Sequence, residues 1–361
     1  MDRLRVAVHS TVLILIIGWV LYIGKSIFVP AVLGAVIVYV IVGLAEKLGR
    51  LPLIGPRLPV QLRYLFSVVV IGLAFFLLAY LIMANKERAL ALAPQYQQSL
   101  LAAIQQGAVL FGVETEPTWS TLRQELLAQV NLQRLLTSLM ASAGSILVSF
   151  VVVFLYATFL LIERRTFDAK LASLSDDPKQ VARVRGVIEA INARIGSYLA
   201  LKTLISLLLG AVSYGVMAFW GLDFAALWAV LTVFLNFVPY VGSVLGVLLP
   251  VLMAVVQFQE PGSILALLLA LVAVQFAIGN FLDPYVMGNS LNLSPFAILI
   301  SLAVWAELWG VPGAFLAVPI TAILTIVFSE FPATRPLAVL LSKGGRTQVP
   351  PGEAPGHTPL R

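Results

Sequence analysis

Read from its first residue, the chain is a succession of long apolar runs separated by short polar stretches. A helix needs about 20 apolar residues to cross the hydrocarbon core of a bilayer. Runs of that length without Asp, Glu, Lys or Arg fall at Val6–Gly24, Ser26–Ala45, Tyr64–Asn85, within Leu135–Ile162 and at Thr203–Leu222. Only Lys25 separates the first two, and Pro30 falls in the first turn of the second, where a missing N–H is tolerated. Asp2, Arg3 and Arg5 ahead of the first run imitate a signal peptide. No small-x-small cleavage site follows and a second apolar run starts at once, so Val6–Gly24 is expected to be a retained transmembrane helix.

The last third has a different pattern. Phe224–Gln259 is free of charge but too long for one straight crossing, and Asn236-Phe237-Val238-Pro239-Tyr240-Val241-Gly242-Ser243 interrupts it. A broken helix or a helical hairpin is expected there. Pro261–Leu282 is a further span, ending at Asp283-Pro284. Ser294–Ala306 and Leu308–Ser329 are split by Glu307 and Trp309-Gly310-Val311-Pro312-Gly313, and read either as one crossing each or as a second hairpin. The pattern therefore predicts an all-α polytopic membrane protein of about eight transmembrane helices, with broken or hairpin helices in its C-terminal half.

Composition agrees and excludes several classes. Of 361 residues, 60% are hydrophobic and 11% charged, against about 25% charged in globular domains. An ordinary soluble enzyme and a disordered chain are both excluded. There is no Cys, which removes disulfide frameworks, thiolate metal sites, iron–sulfur clusters and Cys nucleophiles. His9 and His357 are too few for a histidine metal centre. No Walker loop, GxSxG or HExxH occurs, so no enzyme activity, catalytic residue, metal or cofactor is expected, and ATP-driven pumping would need a partner. The net charge of +6 sits in loops beside the spans, where it suits lipid head groups, not nucleic acid.

The loops give an orientation. Residues 46–63 hold Lys47, Arg50, Arg57 and Arg63 against Glu46, and 163–202 hold eight basic residues against five acids, whereas 86–134 balance four with four. By the positive-inside rule the first two are cytoplasmic and the third lies outside, with the N-terminus inside. The tail carries Arg335, Lys343, Arg346 and Arg361 and is also expected inside, its Pro/Gly-rich end Gly344–Arg361 disordered. The expected organisation is three transmembrane helices in 1–85, an extracytoplasmic amphipathic segment in 86–134, a fourth transmembrane helix in 135–162, a cytoplasmic amphipathic helix in 163–202, a transport core in 203–330 and a tail in 331–361.

Two segments outside the spans have helical periodicity. Leu92, Tyr96, Leu100 and Ile104 repeat every four residues, as do Leu122, Leu126 and Val130. An assembly collar and helices packed on their own bundle fit this equally well. In the cytoplasmic segment Asp176-Asp177-Pro178 signals a helix start, and Val184, Ile188, Ile191, Ile195 and Leu199 form one stripe leading into the fifth span. Arg194 and Lys202 on that helix fit a cytoplasmic gate, or a solvated face and a snorkelling side chain.

The informative residues are those a lipid-facing helix does not tolerate. Asn236, Pro239, Tyr240, Gly242 and Ser243 form one group; Gln275, Asn280, Asp283, Pro284, Tyr285, Gly288, Asn289 and Ser290 form another. Pro and Gly free backbone groups that must be satisfied inside the protein or by a water-filled cavity. Paired broken helices of this kind build transporter sites. Both groups share the order Asn-Phe…Pro-Tyr-Val…Gly…Ser, and Val311-Pro312-Gly313 echoes the first break. Asp283 is the sharpest single residue. A charge at the bilayer centre costs at least about 2.5 kcal/mol, so it is either a proton or cation carrier or an interfacial helix cap. Glu307, between Trp305 and Trp309, has the same two readings.

Four motifs in order, Ile195-Gly196-Ser197-Tyr198-Leu199…Lys202, Leu235-Asn236-Phe237-Val238-Pro239-Tyr240-Val241-Gly242, Gly279-Asn280-Phe281…Pro284…Met287-Gly288-Asn289-Ser290-Leu291…Leu293-Ser294-Pro295 and Trp305…Leu308-Trp309-Gly310-Val311-Pro312-Gly313…Ala317-Val318-Pro319, resemble the AI-2E family of bacterial permeases. The resemblance implies an inner-membrane protein of about eight helices, often oligomeric, tied to export of the signal autoinducer-2 and in some members to sodium/proton antiport. It marks Asn236, Pro239, Tyr240, Gly242, Asn280, Pro284 and Gly288 as the broken-helix core. Ala306 and Glu307 depart from the family pattern, which leaves the solute open.

Three functions are carried forward. The first is a secondary exporter of a small polar solute, held by Asn236, Tyr240, Asn280 and Asn289, with Asp283 carrying a coupling proton or cation. The second is a sodium/proton antiporter relying on Asp283 or Glu307. The third is a non-transporting membrane scaffold. The partners expected are the bilayer, the solute, H+ or Na+ and further copies of the chain.

Overall fold

The computed structural model describes residues 2–50, 57–110, 132–173, 175–258, 260–288 and 291–345. Among these the chain is helix and turn throughout, apart from an isolated antiparallel bridge between Leu293 and Ser342. In order the helices are α1 Asp2–Ile23, α2 Lys25–Gly49, α3 Val60–Ala84, α4 Lys86–Leu110, α5 Leu132–Ala172, α6 Pro178–Phe219, α7 Ala225–Leu235, α8 Val241–Phe258 and α9 Pro261–Ala277. One π-helical turn, Ile278–Leu282, joins α9 to α10 Asp283–Met287. Then come α11 Pro295–Trp309, α12 Val311–Glu330 and α13 Arg335–Leu341.

This is an all-α polytopic membrane protein. Among the described residues, six helical stretches are long and apolar enough to cross a membrane: α2, α3, α6, α8, Pro261–Met287 and α12. Thr11–Ile23, α7 and α11 are shorter apolar helices. Large side chains such as Ile14, Phe76, Phe159 and Leu269 stay uncovered, as lipid-facing surface requires. The long helices pass through the boundaries drawn from charge. α5 runs on beyond Ile162 to Ala172, and α6 begins at the Asp177-Pro178 signal and continues past Lys202 to Phe219. Asp177 Oδ1 accepts the Lys179 N–H at 2.9 Å, satisfying a donor of the first turn.

The two interrupted stretches resolve as helical hairpins. At about 1.5 Å per residue, the 11 residues of α7 reach about 16 Å, roughly half a hydrocarbon core. The chain turns at Asn236–Tyr240 and returns as α8 against α7. Tyr240 takes a left-handed φ of 60°, and the Gly242 N–H closes onto Val238 O at 2.9 Å. A Cβ on Gly242 would lie 1.7 Å from the Leu235 carbonyl oxygen, so only glycine fits there. The second hairpin repeats the device. α11 and α12 pack together through Gly310, with φ 66°, and a Cβ on Gly313 would lie 1.8 Å from the Trp305 carbonyl.

The chain forms two compact units. The first comprises Met1–Gly43, Val153–Ala200 and Asn289–Arg361. Within it the backbones of α2 and α6 meet at Gly43 and Gly196, and Ile195 and Leu199 are fully buried. The Trp309 indole donates to Leu21 O at 2.9 Å, tying α11 to the end of α1. The second comprises Leu44–Val152 and Leu201–Gly288. Its main core is Met217, Leu222, Ala229, Val251, Ala254, Leu267 and Leu271. Here α4 packs on α8 and buries Tyr96 and Ser99, so the described part of the 86–134 segment lies on its own bundle. Leu122, Leu126, Val130 and the tail beyond Gly345 fall outside the described residues.

Candidate functional site

The polar heart of the second unit is built on one face of α6. Lys202 and Ser206 are one helical turn apart and share that face with Leu209. Lys202 is 8% exposed and is the charged side chain that is buried among the described residues. Its Nζ donates to Asp283 Oδ2 at 2.9 Å. Taking both charges out of water is costly, so such a pair persists only with close geometry or a task. Asp283 Oδ1 is buried and has no hydrogen-bond donor among the described residues. One turn further along α6, the fully buried Ser206 Oγ accepts from Asn236 Nδ2 at 2.9 Å. Asn236 stands where α7 ends, so α6 is tied to the hairpin turn at one point and to the start of α10 at another.

Apolar packing holds this arrangement. Ile205 and Leu209 of α6 form a cluster with Ile278, against which Val274, Leu282 and Met287 pack. These residues bracket Asp283 in sequence and set the face it presents. Thr232 on α7 donates to Trp228 O at 2.9 Å within its own helix, and Gly246 of α8 lies against its side chain.

The other expected site residues take varied places. Pro239 and Tyr240 form the hairpin turn, with Tyr240 half exposed, and Gly242 is the close-approach position. Ser243 on α8 and Gln275 on α9 are half-buried. Asn280 is exposed, and its amide donates to Phe276 O of its own helix at 3.3 Å. Pro284 is exposed in the first turn of α10, and Gly288, with φ 54°, ends it. Asn289 lies outside the described residues. Arg194 and Glu307 belong to the first unit, where Arg194 is half-buried and Glu307 exposed. The structure therefore brings Lys202 to Asp283 and Asn236 to Ser206. The two sequence groups that read alike fold differently: 236–243 reverses the chain, while 280–287 continues a helix through its π-turn.

Two side chains in these polar contacts, Ser206 and Asp223, are not among the residues expected above. Ser206 carried one available signal, its i+4 spacing from Lys202. Asp223 carried another, as the lone acid between two charge-free runs. Asp223 gathers a second polar node at the far end of α6. Arg88 Nη2 lies 2.5 Å from Oδ1, Tyr96 Oη donates to Oδ2 at 2.8 Å, and the Asp223 N–H donates to Gln257 Oε1 at 2.7 Å. The Arg88 guanidinium also sits 5.7 Å from the Phe224 ring centre. Burial and the bond to the Asp223 carboxylate together push the Tyr96 phenol well above the usual tyrosine range.

A multi-pass helical protein with a partly buried ion pair among its apolar helices fits the transport class. The AI-2E family transporter model matches residues 11–333, and the chain belongs to that family. It is 28% identical over 344 residues to the AI-2 transport protein TqsA of Escherichia coli K12, covering 95% of this chain and 96% of that one. It is 36% identical over 194 residues to a proposed transport protein of Borreliella burgdorferi, 54% of this chain and 53% of the relative, about half that relative's length. A proposed transport protein of Haemophilus influenzae is 28% identical over 289 residues, 79% of this chain and 82% of its own. The chain is thus a multi-pass bacterial membrane protein of a transporter family.

Proposed function

We propose that this protein is a secondary exporter of a small polar solute such as autoinducer-2, coupled to an ion gradient at Asp283. The observation that carries the reading is the partly buried Lys202–Asp283 pair, with one carboxylate oxygen bonded to the ammonium and the other without a donor among the described residues. The second oxygen can take a proton, and protonation removes the charge that holds Lys202. Asn236 and Ser206, one turn away, supply neutral hydrogen-bonding groups for a polar solute. The 28% identity to a relative named as an AI-2 transport protein supports autoinducer-2 as the first solute to test. The positive-inside rule supports cytoplasmic termini, and this reading has the chain acting as a homo-oligomer in the inner membrane.

Sodium/proton exchange is the second reading, and it uses the same carboxylate. One carboxylate with an ammonium against it offers sodium few oxygens and an opposing charge, which favours the proton as coupling ion. The test is proton movement in everted vesicles, followed with a pH-sensitive dye. Autoinducer-2 added to wild type is expected to give a response that Asp283→Asn abolishes. A response to sodium alone would favour exchange, and an identical response in Asp283→Asn would remove Asp283 from coupling.

A further inference from the structure

Pro261–Met287 forms one long helical stretch, except that the π-turn interrupts its α-helical ladder. There the Asp283 N–H reaches back five residues, to Ile278 O, instead of four. A π-turn holds one residue more than an α-turn, so it rotates everything beyond it by about 100° relative to an unbroken helix. Two local features favour it. Pro284 has no N–H, so no α-type bond can close onto the Asn280 carbonyl. Asn280 Nδ2 donates to Phe276 O at 3.3 Å, giving a backbone carbonyl beside the irregular turn a side-chain partner. Beyond the turn, Asp283 meets Lys202, Met287 packs towards Ile205 and Leu209, and Tyr285 points away at 88% exposure.

We propose that Asn280 is a positioning residue: it holds the turn in its π form and so keeps Asp283 in register with Lys202. Relaxation of the turn to α-helical geometry swings the carboxylate off the ammonium. The inference rests on the reading of Lys202–Asp283 as the coupling site. It gives that site a built-in way to separate its charges without moving a whole helix. Asn280 then acts on the coupling ion through backbone register, and its amide is committed to Phe276 O and not to solute.

The chain has no cysteine, so single cysteines can be labelled without background. Spin labels are placed at Tyr285→Cys and, separately, Met287→Cys in the full chain in liposomes. In the wild-type background the label at 285 is expected to be mobile and oxygen-accessible, and the label at 287 restrained. In Asn280→Ala this contrast is expected to collapse or invert, with loss of proton-coupled flux. Asn280→Ser, whose hydroxyl can bond the i−4 carbonyl, is expected to restore both. Pro284→Ala returns the missing N–H and relaxes the turn by an independent route, so it should shift the labels in the same sense even if Asn280→Ala fails to fold. Unchanged label contrast in Pro284→Ala, or in folded Asn280→Ala, overturns the proposal whatever the flux does. Altered contrast with normal proton-coupled flux supports the register change and counts instead against Asp283 as the coupling site.

Discussion

Lys202 and Asp283 stand 81 positions apart in the chain and 2.9 Å apart in space, and each is what makes the other tolerable in an apolar core. Removing one partner leaves a buried charge alone. Lys202→Ala and Asp283→Asn are each expected to destabilise by about 3 kcal/mol, somewhat less for Lys202→Ala because Asp283 is the more exposed member. The double variant, with no charge to strand, is expected to recover most of that loss while remaining inactive in flux. Melting of detergent-solubilised protein checks the first statement and the vesicle dye response the second. A double variant no more stable than either single one would show that the pair is not coupled.

The two hairpin tips predict a sharp contrast among glycines. Gly242→Ala and Gly313→Ala would drive a methyl to within 1.7 and 1.8 Å of main-chain carbonyls that cannot move without opening the hairpin. Each is expected to cost upward of about 3 kcal/mol or to abolish folding. Gly215→Ala, with nothing within 4 Å of its new methyl, is expected to be neutral or to stabilise α6 by about 1 kcal/mol. Fluorescence-detected gel filtration after graded heating separates these outcomes.

Tyr96 predicts a spectroscopic signature. Its phenol is held neutral by burial and by the Asp223 carboxylate, so its folded pKa lies above its unfolded one. The stability this linkage gives is fully present below about pH 10, the unfolded tyrosine value, and is lost as pH rises through the raised folded value. Ultraviolet titration of the phenolate band should show the exposed tyrosines ionising first. The wild-type minus Tyr96→Phe difference should stay flat through about pH 10 and rise only in stronger alkali. A difference already rising near pH 10 would mean that the Asp223 bond does not form.

Asn236 and Ser206 predict a smaller, local effect. Asn236→Ala leaves the buried Ser206 hydroxyl without that donor and should cost about 1–2 kcal/mol. Replacing both with alanine should cost less than the two single losses added together, because neither polar group is then stranded. Thermal melts of the three variants measure the coupling.

The spans were legible in the sequence because lipid enforces a crude rule, charge-free runs of a fixed length. Tyr64–Asn85, which lies almost wholly within α3, is visible to the eye for that reason. The hairpin at 236–243 was legible as a break because Pro239 and Gly242 cannot sit quietly in a helix. Its outcome, a reversal and not a kink, depends on Tyr240 adopting a positive φ, which no residue preference of tyrosine announces. Lys202 and Asp283 were each noticed, but their partnership is tertiary and nothing local encodes it. Asp223 is not singled out by the sequence, and only the folded chain shows Arg88 and Tyr96 converging on it from α4. The likeness between 236–243 and 280–290 came from shared residue types. The repeated geometry lies between Gly242 and Gly313, where what is repeated is the absence of a side chain.

That absence has a consequence for how such a protein can change over time. A tip clamped by main-chain atoms does not depend on exposed side chains that make no contact of their own. Val241 beside one clamp and Val311 beside the other, both exposed, can be exchanged without loosening the fold that displays them. Each hairpin keeps its reversal in the main chain and leaves those exposed positions free to vary.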